Sequence, residues 1–235
     1  MTTFPVYDRI PWEQHIRQMK WRQGEHILIA GPTSAGKTTL AASLLQKRSH
    51  VVMLVTKPKD ETFAKQFKGW TRLERWPKGG PPNYETRVLL WPTPRKTIPE
   101  TIAYQREIMR EAVDAIFHQG KRCLAIDEGL YFSDSQFIGM GRELGMMHYT
   151  ARSSGISMVT LSQRPFYLPK VILSSITHGY FARTRDKDDL KRLADIGSVD
   201  AKEVAHNLGI LPDRHDYVYV NPQGDVSPAV VNTAH

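Results

Sequence analysis

The chain has 235 residues, 32 Lys+Arg against 24 Asp+Glu, a formal net charge of +8, and 40% hydrophobic residues. That is apolar material enough for one core and argues against a wholly disordered chain, while the single cysteine, Cys123, excludes an internal disulfide framework and a Cys-cluster zinc site. No apolar run approaches the roughly 18–20 residues of a membrane span, and the N-terminus lacks a basic-then-apolar secretion pattern, so one domain over 1–235 in a reducing, cytoplasmic setting is expected.

In chain order, Trp12, Ile16 and Trp21 stand at near-helical spacing, which predicts a short amphipathic helix within an N-terminal extension, 1–23. Residues 26–30 form an apolar strand, residues 31–36 a Gly-rich turn, and residues 37–48 a helix. A second strand falls at 51–55. Pro and Gly mark a loop at 77–82, and 88–91 is a candidate strand. Pro99 suits the first turn of a long helix reaching about His118 and closed by Gly120. Strands at 123–126, 156–161 and 176–181 follow, with helices at 135–150, 187–195 and 199–207. Residues 217–220 pair with 229–231 in a hairpin around 221–224, closing a C-terminal portion, 197–235. Strands alternating with helices imply an α/β fold, a central, mostly parallel sheet covered on both faces.

The positive charge is concentrated. Residues 57–96, within an insertion spanning 57–98, hold ten Lys/Arg against four acids, hence six of the eight net charges. They also hold Trp70, Trp76 and Trp91. Cations beside flat aromatics suit a nucleic-acid surface, through phosphate attraction and stacking. A solvated excursion anchored by its tryptophans has the same composition. Lys65, Lys68, Arg72 and Arg75 are the candidate DNA contacts.

The strongest chemical signal is Gly31-Pro32-Thr33-Ser34-Ala35-Gly36-Lys37-Thr38-Thr39, which satisfies G-x-x-x-x-G-K-[ST] between an expected strand and an expected helix. Its glycines let the backbone curl around a phosphate, and the helix N-terminus adds a favourable dipole. Lys37 is placed to reach the β- and γ-phosphates, and the Thr38 hydroxyl to ligate Mg²⁺. Asp127 and Glu128 end the strand at 123–126, where α/β sheets bind ligands. Asp127 is the candidate Mg²⁺ ligand and Glu128 the candidate general base. Gln163, at the end of the strand at 156–161, could sense the γ-phosphate or the attacking water.

Taken together, GPTSAGKTT, CLAIDE and ARSSGISMVTLSQRP resemble the FtsK–HerA superfamily of P-loop ATPases over roughly residues 24–195. The third motif discriminates: an Arg, two small residues, Gly-Ile, an apolar strand, then Ser-Gln-Arg-Pro. The resemblance implies a RecA-like (ASCE) P-loop fold with ATP and Mg²⁺ as cofactors. It assigns Lys37 and Thr38 to the nucleotide, Asp127 to Mg²⁺, Glu128 as catalytic glutamate and Gln163 as sensor. It further implies a homo-oligomeric ring, usually a hexamer, with double-stranded DNA in the channel and an arginine finger from the neighbour. Arg152, Arg142 and Arg183 are the candidates for that finger. The chain shows neither the membrane helices and DNA-orienting domain of the cell-division members nor the N-terminal barrel of the repair translocases. On those grounds it resembles the small genome-packaging ATPases of viruses with an internal membrane, which implies capsid or portal-vertex partners and an association with the virion vertex.

A plasmid or conjugation-type transfer ATPase shares these motifs. A non-hydrolysing nucleotide switch needs neither Glu128 nor Gln163. A small-molecule kinase would need a substrate lid that the sequence does not display.

Overall fold

A computed structural model describes residues 4–81, 86–197, 200–224 and 226–233. The ends of the N-terminal extension and of the C-terminal portion, Pro82 in the expected loop, and Val199 at the start of the expected helix lie outside the described residues.

The first elements are β1 (Arg9–Ile10), α1 (Trp12–Gln18), β2 (Ile27–Ala30), α2 (Lys37–Leu45) and β3 (Val51–Leu54). Then come α3 (Glu61–Gln66), β4 (Thr71–Leu73), β5 (Arg87–Leu90), α4 (Ile98–Gln119), β6 (Cys123–Ile126), α5 (Gly129–Ser133) and α6 (Gly141–Ser154). The last are β7 (Ser157–Ser162), α7 (Lys170–Ser175), β8 (His178–Ala182), α8 (Lys187–Arg192), α9 (Ala201–Ile210), β9 (Asp216–Val220) and β10 (Ala229–Asn232). Among the described residues the strands form one sheet in the order β1-β10-β9-β8-β2-β7-β6-β3-β5-β4. From β8 to β4 every pairing is parallel, and β9 runs antiparallel to both β8 and β10.

The central strands are apolar throughout because both faces are covered. Leu28, Ala30, Val52, Leu54, Leu124 and Ile126 join a core built with α4, α6, α7 and α9. Their neighbours Ile27, Ile29, Val51, Met53, Cys123 and Ala125 face the other way, toward α1, α2 and α3. Each fully buried Leu, Ile or Val side chain contributes about 1.5–3 kcal/mol. This is an α/β, RecA-like P-loop fold with helices on both faces.

Segment 57–98 is part of this sheet. β5 pairs in parallel with β3, β4 extends the edge, and Trp76 and Trp91 are buried. Neither α3 nor β4 carries a long enough periodic pattern to be read from sequence. The helix expected at 135–150 instead begins only at Gly141 and runs to Ser154 as α6, and a short α5 that was not expected precedes it, ending at Ser133. Gly139, at φ 70°, turns the chain between them, and Gly155 in the left-handed region closes α6. The terminal hairpin forms as expected, with Val218 opposite Val230.

At the sheet edge where β2 and β8 begin, polar groups are buried. His26 stacks edge-on against His148, with ring centroids 4.6 Å apart. His178 Nδ1 is 2.9 Å from the Tyr219 hydroxyl and its Nε2 3.4 Å from Glu25. His15, from α1, is 2.8 Å from the Tyr180 hydroxyl. No described helix is long and apolar enough to cross a membrane.

Candidate active site

Register brings the motif residues together. Ala30 is paired with Ser162, Thr160 with Ile126, and Ile126 with Leu54. The chain segments that leave β2, β7, β6 and β3 therefore emerge side by side at the C-terminal edge of the parallel strands, the ligand-binding edge of such sheets.

The turn at 31–36 gets its shape from two special positions. A Cβ on Gly31 would stand 2.5 Å from the Ala182 Cβ, so only glycine lets the loop pass β8. Gly36 has φ 93° and leads directly into α2. The Ala35 carbonyl accepts a hydrogen bond from the Tyr217 hydroxyl at 2.9 Å, and His215 Nδ1 lies 3.2 Å from it. The C-terminal hairpin thus forms the wall behind the loop. Lys37 Nζ donates to the Gly31 and Pro32 carbonyls at 2.7 and 2.9 Å. Burial pulls its amine down to about 8, against the opposing pull of Glu128. Thr38 is half-buried beside it, and Gln66 of α3 donates to the Thr39 hydroxyl at 3.2 Å.

Asp127 is almost wholly buried. Its Oδ1 accepts from the Thr56 N–H at 3.2 Å and from the Thr56 hydroxyl at 2.9 Å. Its Oδ2 is enclosed with no hydrogen-bond partner among the described residues. Burial pushes this carboxyl up to about 6. An orphaned buried carboxylate oxygen is costly by itself and suits coordination of a hard cation such as Mg²⁺. Thr38 and Asp127 could therefore hold Mg²⁺ on a bound nucleotide. Glu128 is half-buried, and burial raises its carboxyl too. Its Oε1 accepts from Gln163 N–H and from the Ser162 hydroxyl, both at 3.4 Å. A carboxylate with a raised proton affinity is a better base for water. The Thr33 hydroxyl donates to Gln163 Oε1 at 3.2 Å, which joins the turn at 31–36 to the segment that leaves β7.

Glu128 and Gln163 open onto a cavity of about 490 Å³ that Thr56, Lys57, Ile98, Thr101 and Tyr131 also line. Lys57, read from the sequence only as part of the basic cluster, here acts electrostatically on Lys37, Asp127 and Glu128. No sequence motif singles out Thr56 or Tyr131. The one sequence signal for Gln105 is a polar residue on the apolar stripe of the long helix.

The arginine candidates separate. Arg142 is exposed at the start of α6, after the α5 segment that follows Glu128. Arg152 is exposed at the other end of α6, where its Cα lies beside Gly24, near the beginning of β2. Arg183 directly follows Ala182 and is half-buried. None belongs to the cluster around Glu128. Among the DNA candidates, Lys65 and Lys68 are exposed. Arg72 pairs with Glu74 at 3.7 Å and lies over the Trp91 ring, while Arg75 pairs with Glu107 at 2.8 Å.

No family model matches the chain, and no curated protein sequence matches it. Solved structures do. The DNA-packaging ATPase B204 from Sulfolobus Turreted Icosahedral Virus is 15% identical with a TM-score of 0.64, over 92% of this chain and 100% of that one. The genome packaging NTPase B204 from Sulfolobus turreted icosahedral virus 2, in complex with AMPPCP, is 12% identical with a TM-score of 0.61, over 88% and 97%. VirB4 of Thermoanaerobacter pseudethanolicus is 10% identical with a TM-score of 0.63, over 89% of each chain. At these identities the likeness is one of fold.

Proposed function

We propose that this chain is an ATP-hydrolysing double-stranded DNA translocase of the FtsK–HerA superfamily, working as a viral genome-packaging motor. The observation that carries this reading is the convergence on one sheet edge of the phosphate loop, the unpartnered oxygen of Asp127, and Glu128 held by the Ser162 hydroxyl and the Gln163 N–H. The subfamily reading is supported by a fold that spans the full length of a viral DNA-packaging ATPase.

In this reading the loop N–H groups and Lys37 bind the phosphates, and Thr38 and Asp127 hold Mg²⁺. A bound cation would supply charge neutralisation to the phosphates. Glu128 takes the proton of the attacking water, and Gln163 orients that water or reads the γ-phosphate. One of Arg142, Arg152 and Arg183 reaches a neighbouring subunit's nucleotide in a ring, a hexamer by resemblance. Lys65 and Lys68 grip phosphates without reading sequence, as a motor that must pass any sequence requires. Capsid or portal-vertex proteins complete the assembly.

The test is ATP turnover with and without double-stranded DNA under conditions that support assembly. Turnover should rise with DNA, and DNA binding should weaken steeply with salt. Turnover indifferent to DNA would overturn the motor reading while leaving an ATPase. A conjugation-type transfer ATPase is the second reading, favoured by a fold likeness to the pCW3 conjugation coupling protein TcpA, with a TM-score of 0.50. Co-purification with a membrane secretion complex, and none with capsid protein, would select it.

A further inference from the structure

Asp127 does not hold its own orientation. Both hydrogen bonds to its Oδ1 come from Thr56, the second residue after β3, 71 positions away in sequence. Thr56 is in turn held on its other side. Its carbonyl accepts from Gln105 Nε2 at 2.9 Å, and Gln105 Oε1 accepts from the Tyr131 hydroxyl at 3.1 Å. Immediately beyond, the Lys57 carbonyl accepts from Trp91 Nε1 at 2.7 Å. The exit of β3 is thereby clamped from α4, from the segment after β5, and from α5.

Gln105 is the unusual member. It is 1% exposed, on the same helix as the buried Ile108, Met109, Ala112, Val113 and Ile116. A buried amide left unpaired is penalised, so this position is stable only while its partners stay in place. The bonds also divide the carboxylate unequally. Oδ1 is committed twice, and Oδ2 has no partner among the described residues. Loss of a group that orients a metal ligand typically costs about 10–100-fold in metal affinity.

We propose that Gln105, acting through Thr56, is a positioning residue that fixes the Asp127 carboxylate with Oδ1 occupied and Oδ2 directed to the Mg²⁺ of a bound nucleotide. This rests on the ATPase reading above. A side chain that merely filled the core would affect folding stability but not the gain in nucleotide affinity that Mg²⁺ provides.

That gain is what the experiment measures. A fluorescent ATP analogue is titrated into the full chain, once with Mg²⁺ and once with EDTA, and the ratio of the two dissociation constants is taken. Thr56→Val keeps the N–H and removes the hydroxyl. Gln105→Met removes the amide and keeps the shape, and Tyr131→Phe frees one end of the amide without touching the core. In Thr56→Val and Gln105→Met the ratio should fall by about tenfold, the low end for groups that orient metal ligands. It should fall less in Tyr131→Phe and recover in Thr56→Ser. The constant in EDTA should stay at the wild-type value in all four. Wild-type ratios in folded Gln105→Met and Tyr131→Phe would overturn the proposal. If Gln105→Met does not fold, an unchanged ratio in Tyr131→Phe and Thr56→Val overturns it alone. Asp127→Ala separates the two levels of inference. If it keeps the wild-type Mg²⁺ gain, Asp127 is not the ligand and this proposal fails alone; if the wild type binds no nucleotide, the ATPase reading fails and takes this proposal with it.

Discussion

The proposed function gives Glu128 and Lys37 separable tasks, and substitution should separate them. Glu128→Gln preserves size and the acceptor to Gln163 N–H but removes the basic oxygen. ATP binding should persist while hydrolysis falls by about 10²–10⁴-fold, read as turnover beside a binding titration. Lys37→Ala should lose nucleotide binding itself; unaltered affinity would remove Lys37 from the phosphate site. Lys37, Asp127, Glu128 and Gln163 were legible because each lies in a short contiguous motif whose backbone geometry the local sequence dictates. Thr56, Gln105 and Tyr131 were not, because what gives them meaning is contact across 26 to 71 residues of chain. No local pattern encodes such a contact.

At the scale of elements, α4 shows how completely a helix start can be written into sequence. The Thr97 hydroxyl accepts from the Glu100 N–H at 3.3 Å, the Glu100 carboxylate accepts from the Thr97 N–H at 3.2 Å, and Pro99 stands in the first turn. Thr97→Ala should lower stability by about 1 kcal/mol, measured as the shift in urea midpoint at constant slope. An unmoved midpoint would mean that packing of α4 alone sets its start. The α5–α6 break was less legible. Glycines are compatible with a helix at modest cost, and only the turn at Gly139 shows where the chain reverses. The same limit applied to 57–98, whose composition described a basic excursion. Its β5 is a buried strand after the half-buried Arg87, Arg72 lies on β4, and most of the other described charges lie on the connections and on α3.

Across the whole molecule, charge has two consequences. Outside, Lys65→Glu with Lys68→Glu should lower DNA affinity and reduce the salt slope by about one for each phosphate no longer neutralised. An unchanged slope would assign that surface to another partner. Arg72 and Arg75 are poorer probes, because reversing them also breaks ion pairs with Glu74 and Glu107. Inside, burial pulls His15 and His26 down to about 4, and lowers His148 and His178 as well. The unfolded chain therefore binds these protons first as pH falls. On their account stability should decline as pH falls from about 6.5 toward 4, each tenfold change in proton affinity being worth about 1.4 kcal/mol. Asp127, Glu128 and Asp189, all raised by burial, work in the opposite sense but are three groups against four. Urea midpoints at pH 7.5 and 5.0 check this; a higher midpoint at pH 5.0 would contradict it.

Tyr217 and His215 touch the carbonyl of Ala35, although Tyr217 lies 52 positions beyond Pro165, where the third motif ends. A chain stopped after Ile210 would carry every signature by which such a protein is recognised, yet its phosphate loop would face solvent where β9 now stands. Possessing the signature and possessing the pocket are thus different properties of this polypeptide. A shortened homologue that kept the first could still have lost the second.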